Sequence, residues 1–330
     1  MIDTIYIEKE IESNPKTLQI LGKFKSARKI SIDRYGEIFN RKNQNFRLQK
    51  IRPNLILAKK HKGFVLPTPE GFGIGDQKNF YFSHMYNCLY DCSYCFLQGM
   101  YSSANYLIFV NFEDFQKEIQ KVIEINKEEN LTFFSGYDCD SIAMESVTNF
   151  INDFIPVFRG NENALIELRT KSVQTRIFEK LEPISNCIIA YSLMPEDLAK
   201  KLDKKAPGVS SRISAMKKLA SMGWKIGLRF DPLIYCEDWR KQYQNLFKRI
   251  YSEINEDNVH SISLGPLRFP KGYFNKIFGY HRKEEIFSYL NINSRNTVSY
   301  DVALENEMNA FCKNELLKYS SKKKVFNCFS

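Results

Sequence analysis

Apolar residues along this chain fall into two alternating rhythms. Short runs rich in β-branched and aromatic residues occupy 80–86, 131–137, 164–171, 187–193, 225–232 and 259–264. Uninterrupted apolar runs of this length are what strands buried on both faces require. Between them, 111–126, 146–158, 211–222 and 238–254 carry apolar residues at every third or fourth position. In 111–126, Phe112, Phe115, Ile119, Val122 and Ile123 make one stripe, which predicts an amphipathic helix. Six strand–helix steps predict a parallel sheet, and right-handed crossovers curl it towards a barrel. The predicted fold class is α/β, a partial (β/α)6 barrel. Active sites of such folds collect at the C-terminal ends of the strands.

The first 79 residues read differently. They predict a strand at 4–7, a helix starting near Asn14–Pro15, a second short strand and a basic stretch. No linker separates them from the barrel. The expected organisation is an N-terminal elaboration at 1–79, the barrel at 80–265, and a C-terminal segment at 266–330 packed on its substrate side. No internal repeat or low-complexity segment interrupts it.

With 330 residues, 43% of them hydrophobic, the chain can bury a sizeable core. The start, MIDTIYIEKEIESN, has no apolar leader region, so no signal peptide is expected. No apolar run is long enough to span a membrane. Eight cysteines without an export signal imply reduced thiols in the cytoplasm. The net charge of +10 favours a polyanionic partner such as nucleic acid. The basic AKKLDKKAPGVSSR suits a solvated helix face as well as a phosphate track, and the KKK at 322–324 reads as ordinary surface. A monomer is expected.

Chemistry concentrates in YFSHMYNCLYDCSYCFLQG, where Cys88, Cys92 and Cys95 are spaced C-x3-C-x2-C. Three thiolates so close can grip one metal centre. A [4Fe–4S] cluster normally takes four cysteines, so three leave one iron open for chemistry. Two other readings stand beside it. A structural zinc would take His84 as a fourth ligand, although zinc sites usually split their ligands into two distant pairs. A disulfide plus a free thiol suits a secreted protein. The spacing favours the cluster.

The same spacing resembles that of radical S-adenosylmethionine enzymes, in which the open iron chelates the cofactor and a 5′-deoxyadenosyl radical is generated. The resemblance sharpens over nearly the whole chain. YIEKE, QNFRLQKIRPNLILAKK, CSYCFLQG, LRTKS, YSLMPED, APGVSSRISAMKKLASMGWKIGLRFDPLI, SLGPLRFP and the terminal VFNCFS resemble, in order and spacing, segments of the spore photoproduct lyase family. That family reverses a methylene-bridged thymine dimer in DNA with a [4Fe–4S] cluster and S-adenosyl-L-methionine, and its members have a partial (β/α)6 barrel.

The resemblance implies residue roles. Cys88, Cys92 and Cys95 would hold the cluster. Lys171, at a strand end, would face the carboxylate of S-adenosylmethionine. Ser192 and Asp140 would lie near the cofactor, although both also suit helix caps. Phe96 would pack near the adenine. Arg229, Asp231 and Arg268 would contact the lesion or its phosphate, with a strand-end salt bridge the plain reading of the first two. The aromatic and lysine-rich stretch 269–280 is the candidate wedge for the duplex, and an electron donor such as flavodoxin or ferredoxin would supply the reductant.

Two departures from the family stand out. Where its hydrogen-donor cysteine belongs, a gapless reading puts Tyr137, and Cys139 follows two residues later. In an extended segment the two would face one side. Phe96 stands where the family has tyrosine, so hydrogen return would fall to Cys139, Tyr94 and Tyr137. This change leaves open a radical enzyme with a different lesion, nucleotide or peptide as target. A non-catalytic iron–sulfur protein that binds nucleic acid is the remaining alternative.

Overall fold

The computed structural model describes residues 2–69, 71–75, 77–293 and 296–328. In chain order the strands begin with β1 (Thr4–Glu8), β2 (Arg28–Ile32), β3 (Leu55–Ala58), β4 (Leu66–Pro67), β5 (Lys78–Phe82), β6 (Met85–Tyr86), β7 (Tyr106–Phe109) and β8 (Leu131–Ser135). They continue with β9 (Ala164–Thr170), β10 (Cys187–Ser192), β11 (Lys225–Leu233), β12 (Val259–Pro266), β13 (Arg268–Pro270), β14 (Asn291–Ile292), β15 (Thr297–Ser299) and β16 (Val325–Asn327). The helices are α1 (Pro15–Lys23), α2 (Phe46–Ile51), α3 (Leu97–Met100), α4 (Phe112–Ile125), α5 (Glu145–Thr148) and α6 (Phe150–Phe158). After them come α7 (Glu196–Leu202), α8 (Val209–Ser221), α9 (Trp239–Glu253), α10 (Lys271–Tyr280) and α11 (Val302–Leu316).

The six predicted barrel strands lie side by side in chain order. The eight-stranded sheet runs β16-β12-β11-β10-β9-β8-β5-β4, parallel throughout except for β4 at its edge. It curls into a half-barrel, and helices cover its outer face. In α4, Phe112, Phe115, Ile119 and Ile123 are buried along the predicted stripe. Phe112 and Phe115 pack edge-on against Phe154 of α6. Each such phenyl ring contributes on the order of 1.5–3 kcal/mol by leaving water. The predicted helix at 146–158 is divided in two at Asn149, which sits at φ 53° between α5 and α6.

The first predicted strand, 80–86, is in fact two. β5 belongs to the barrel sheet, whereas β6 pairs antiparallel with β7 in a second, five-stranded sheet of order β2-β1-β3-β7-β6. Ser83 and His84 carry the chain from one sheet to the other. The N-terminal strands share this second sheet, since β3 runs parallel to β7. Helix α1 begins where predicted. The Asn14 carboxamide accepts from the backbone N–H groups of Lys16 and Thr17, and Pro15 occupies the first turn.

The C-terminal segment adds the small antiparallel sheet β13-β15-β14, then α11 and β16. Residues 325–327 of the terminal VFNCFS form β16, while 329 and 330 lie outside the described residues. Helix α10 crosses α3 so closely that a Cβ on Gly99 would stand 2.5 Å from the Tyr273 Cβ. No helix among the described residues is long and apolar enough to cross a membrane.

Candidate active site

The three cysteines lie on the loop between β6 and α3, and all three are free. The loop opens at Asn87, in the left-handed region at φ 67°, whose amide donates to the carbonyls of Ser103 and Asn105. Both Arg47 terminal nitrogens reach the Asp91 carboxylate, at 2.7 and 3.1 Å. The backbone N–H groups of Asp91 and Ser93 donate to the carbonyls of Lys204 and Leu202, each at 2.8 Å. The Gln98 amide donates to the Cys92 carbonyl, and His281 bonds Gln98 at 2.9 Å. The loop is therefore clamped by α2, by the end of α7 and by the end of α10.

Burial raises all three thiols, Cys88 up to about 12. Two cations oppose this. Lys50, buried under the loop, donates to the Cys88 carbonyl and favours the thiolate there. Lys171 acts the same way on Cys92 and Cys95. Desolvated thiols beside fixed ammonium groups suit a metal that displaces their protons.

The donor set separates a cluster from zinc. Sulfurs around one tetrahedral zinc lie about 3.8 Å apart, given Zn–S bonds of about 2.3 Å. Among the described residues, the group of three whose donor atoms converge within 4.8 Å is Glu8, Glu10 and His61, not the cysteines. His84 is buried and stacked 3.9 Å from Phe150, and among the described residues its ring nitrogens do not converge with the cysteine sulfurs within 4.8 Å. The wider spread of the thiols fits a multi-iron cluster with three protein ligands. Glu8, Glu10 and His61 form a charge network instead, because Arg34 and Lys59 pair with Glu10 and the Glu8 oxygens accept from the N–H groups of Tyr35 and Lys59.

Lys171 closes a buried network that the sequence did not reveal. Its ammonium lies 3.9 Å from Asp203 and 5.6 Å from the Tyr94 ring centre. Tyr94 donates to Asp203 at 2.5 Å, and Arg212 approaches the other Asp203 oxygen at 2.7 Å. The latter is a charge contact without hydrogen-bond alignment. Burial opposes the charge on Asp203, but Lys171 and Arg212 prevail and hold its pKa low. Tyr94 is thus fixed, with burial pushing its phenol far upward. Asp203 sits in the run KLDKK, where nothing in the periodicity distinguishes it from a solvated acid.

Asp140 shows the capping pattern that is its plainer reading. Its carboxylate accepts from the Thr170 hydroxyl and from the N–H groups of Lys171, Ile142 and Ala143. Oδ1 takes three of these bonds and Oδ2 the one from Lys171, so Asp140 helps to position Lys171. Ser192 ends β10 half-buried, with its carbonyl accepting from Arg212 at 3.0 Å.

Arg229 takes its plainer reading, a salt bridge, and not a lesion contact. It is fully buried, and all five of its N–H groups have acceptors: both Glu167 oxygens, the Ser261 carbonyl and hydroxyl, and the Leu228 carbonyl. No donor is left for a substrate. Gly227 makes room, since a Cβ there would lie 2.9 Å from Arg229 Nη2. Asp231 and Arg268 pair at 3.3 Å one layer nearer the mouth of the barrel.

Tyr137 and Cys139 do not share a side. Gly136, at φ 88°, turns the chain as it leaves β8, so the segment is not extended. Tyr137 packs 5.6 Å from Phe96 and 4.6 Å from Tyr81. Cys139 turns into the core under the N-terminal sheet, beside Met85 and Met144, with the Met85 N–H bonded to its sulfur. Between them, Asp138 accepts from Ser83 and from Tyr101 at 2.8 Å. Tyr81 was invisible to sequence reasoning because it reads as an ordinary strand residue.

A family model described as spore photoproduct lyase matches residues 80–275. The spore photoproduct lyase of Clostridium acetobutylicum is 22% identical over 173 residues, 52% of this chain and 52% of that protein. The Bacillus subtilis (strain 168) enzyme is 22% identical over 177 residues, 53% of this chain and 52% of its own length. The matched stretch thus spans about half the length of the curated relatives. Among solved structures, a cysteine-to-serine mutant of spore photoproduct lyase has a TM-score of 0.85 at 16% identity, covering 100% of this chain and 98% of that one. A spore photoproduct lyase complexed with dinucleoside spore photoproduct has a TM-score of 0.84 at 15% identity, with the same coverage. At these identities the likeness establishes the fold.

Proposed function

Since the chain belongs to the spore photoproduct lyase family, we propose that it is a radical S-adenosylmethionine lyase that reverses a methylene-bridged thymine dimer in DNA. The observation that carries this reading is the clamped loop of three free thiols beside Lys171, set at the mouth of a six-strand parallel barrel. Cys88, Cys92 and Cys95 would hold a [4Fe–4S] cluster, and Lys171 would meet the carboxylate of S-adenosylmethionine. Bound together, the two supply a 5′-deoxyadenosyl radical. A flavodoxin or ferredoxin is the proposed electron donor, and the protein is proposed to work as a cytoplasmic monomer.

The chain's own residues orient and shield. Asp140 and Asp203 hold Lys171 from its backbone and its ammonium respectively. Phe96 and Tyr137 offer an aromatic wall, and Asp231 and Arg268 line the barrel mouth. For hydrogen return, Tyr137 is the better placed phenol, because Cys139 is turned into another core and Tyr94 is bound to Asp203. That same replacement of a thiol by a phenol favours a second reading, in which a related radical enzyme acts on a different nucleic-acid lesion.

The test is anaerobic incubation of the reconstituted protein with dithionite, S-adenosylmethionine and a spore-photoproduct dinucleotide. Conversion of the lesion to the unbridged thymidine dinucleotide, together with 5′-deoxyadenosine chemistry, supports the lyase. Formation of 5′-deoxyadenosine without the unbridged dinucleotide rejects this lesion and favours the second reading. Neither product from a fully loaded protein rejects both.

A further inference from the structure

Arg268 stands at the start of β13 with its side chain 9% exposed. Its Nη1 donates to Asp231 Oδ1 at 3.3 Å and to the Pro266 carbonyl at 3.1 Å. Its Nε and Nη2 are closed off from solvent and have no partner. That edge of a guanidinium is a fork matched to two oxygens of one phosphate or carboxylate. The Ser263 hydroxyl, on β12, is also buried and unpaired. Ser261 bonds Arg229 inside the barrel, and Ser263, two residues on, shares its face of the strand.

Buried donors without acceptors are rare in folded proteins and call for a specific explanation. Here the charge indicates what is missing. Arg169, Arg229 and Arg268 face Glu167 and Asp231, an excess of one positive charge. Glu167 is shared by Arg229 and Arg169, and Asp231 is taken by Arg268 Nη1, which leaves Nε and Nη2 of Arg268 without an acceptor. The exposed Phe72 ring lies 4.9 Å from the same guanidinium, an aromatic face beside the fork. Gly265 is what allows the approach: a Cβ there would stand 2.8 Å from Arg268 Nη1 and 3.0 Å from Asp231 Oδ1.

We propose that Arg268 and Ser263 form an anion subsite that takes the phosphate joining the two damaged nucleosides. The site therefore reads the lesion as a dinucleotide, not as two linked bases. This inference rests on the lyase reading above, and the ligand class it names is a phosphodiester.

The loaded protein, with cluster and S-adenosylmethionine but no reductant, binds without turnover. Equilibrium dialysis against the spore-photoproduct dinucleotide and the corresponding dinucleoside measures the phosphate's contribution. The dinucleotide is expected to bind about tenfold tighter or more, as charge-assisted hydrogen bonds imply. Arg268→Lys keeps the charge, loses the fork and should remove most of that preference, with the larger loss of affinity on the dinucleotide. Ser263→Ala should reduce the preference without abolishing it, and serves if Arg268→Lys fails to fold. Inorganic phosphate should compete with the dinucleotide and not with the dinucleoside. Equal wild-type affinity for the two ligands, or an equal loss for both in a folded variant, overturns the subsite and leaves the lyase reading standing. Failure to bind either ligand counts against the lyase reading itself.

Discussion

Replacing Glu167 by Gln is expected to destabilise the barrel, not to alter a substrate contact. Glu167 and Arg229 are both fully buried, joined by bonds of 3.1 Å (Nε to Oε1) and 2.6 Å (Nη2 to Oε2). A carboxamide keeps one acceptor but turns an N–H₂ group towards a guanidinium nitrogen, and leaves that cation uncompensated. Removing one partner of a buried pair costs about 3–5 kcal/mol. That is a large share of a typical total stability of about 5–15 kcal/mol. Exchanging both partners, Glu167→Leu with Arg229→Met, removes both charges and should recover most of the loss. Urea unfolding followed by circular dichroism at neutral pH measures all three. Burial pushes the Glu167 carboxyl up, but Arg229 and Arg169 more than offset this and hold it below the ordinary range. A carboxylate depressed in the folded state stabilises above its unfolded pKa and loses that contribution as pH falls through the folded one. The gap between wild type and Glu167→Gln should therefore close in acid. A single-variant loss under about 1 kcal/mol, or a double variant no better than the single, would refute this account.

Four further outcomes follow from the geometry. Gly99→Ala places a Cβ against the backbone and Cβ of Tyr273, so α10 must shift and stability should fall by about 1–3 kcal/mol, read by thermal unfolding. Lys60 is buried among Tyr86, Phe109 and Phe115, and burial lowers its pKa to about 8. A lysine lowered in the folded state opposes folding while it is charged, so wild type should gain stability relative to Lys60→Met between about pH 8 and 10.5, checked by denaturation at both ends. Lys171→Met should weaken S-adenosylmethionine binding by about tenfold or more, measured by equilibrium dialysis with iron content held constant. Tyr137→Phe should lower the yield of unbridged dinucleotide while 5′-deoxyadenosine still forms, whereas Cys139→Ala should leave the yield nearly unchanged. The opposite pattern would assign hydrogen return to the cysteine.

The barrel was legible because its strands are buried on both faces and its helices on one, and both conditions leave a period in the sequence. The period fails where burial is shared between two sheets. Residues 80–86 read as one strand, yet the chain changes sheets at Ser83 and His84, and both halves stay apolar. The cysteine loop was legible because its spacing is itself the chemistry. A salt bridge for Arg229 was legible, but its burial and its partner Glu167 were not, nor was Asp203, since a buried ion pair and a solvated one are spelt with the same letters. The opposite facing of Tyr137 and Cys139 turns on one glycine dihedral, which no alternation rule captures.

The crossing at Ser83 and His84 also links the fate of the N-terminal region to that of the cluster loop. The loop springs from β6, which hangs on β7 and through it on β3, β1 and β2. A cluster that grips the loop is thus bound to a sheet half built from the first 58 residues. By mass action, a ligand that binds only the folded form stabilises whatever must be folded to bind it. Iron loading should therefore harden the N-terminal sheet against proteolysis and slow its amide exchange. Oxidative loss of the cluster should be felt there as well as in the barrel.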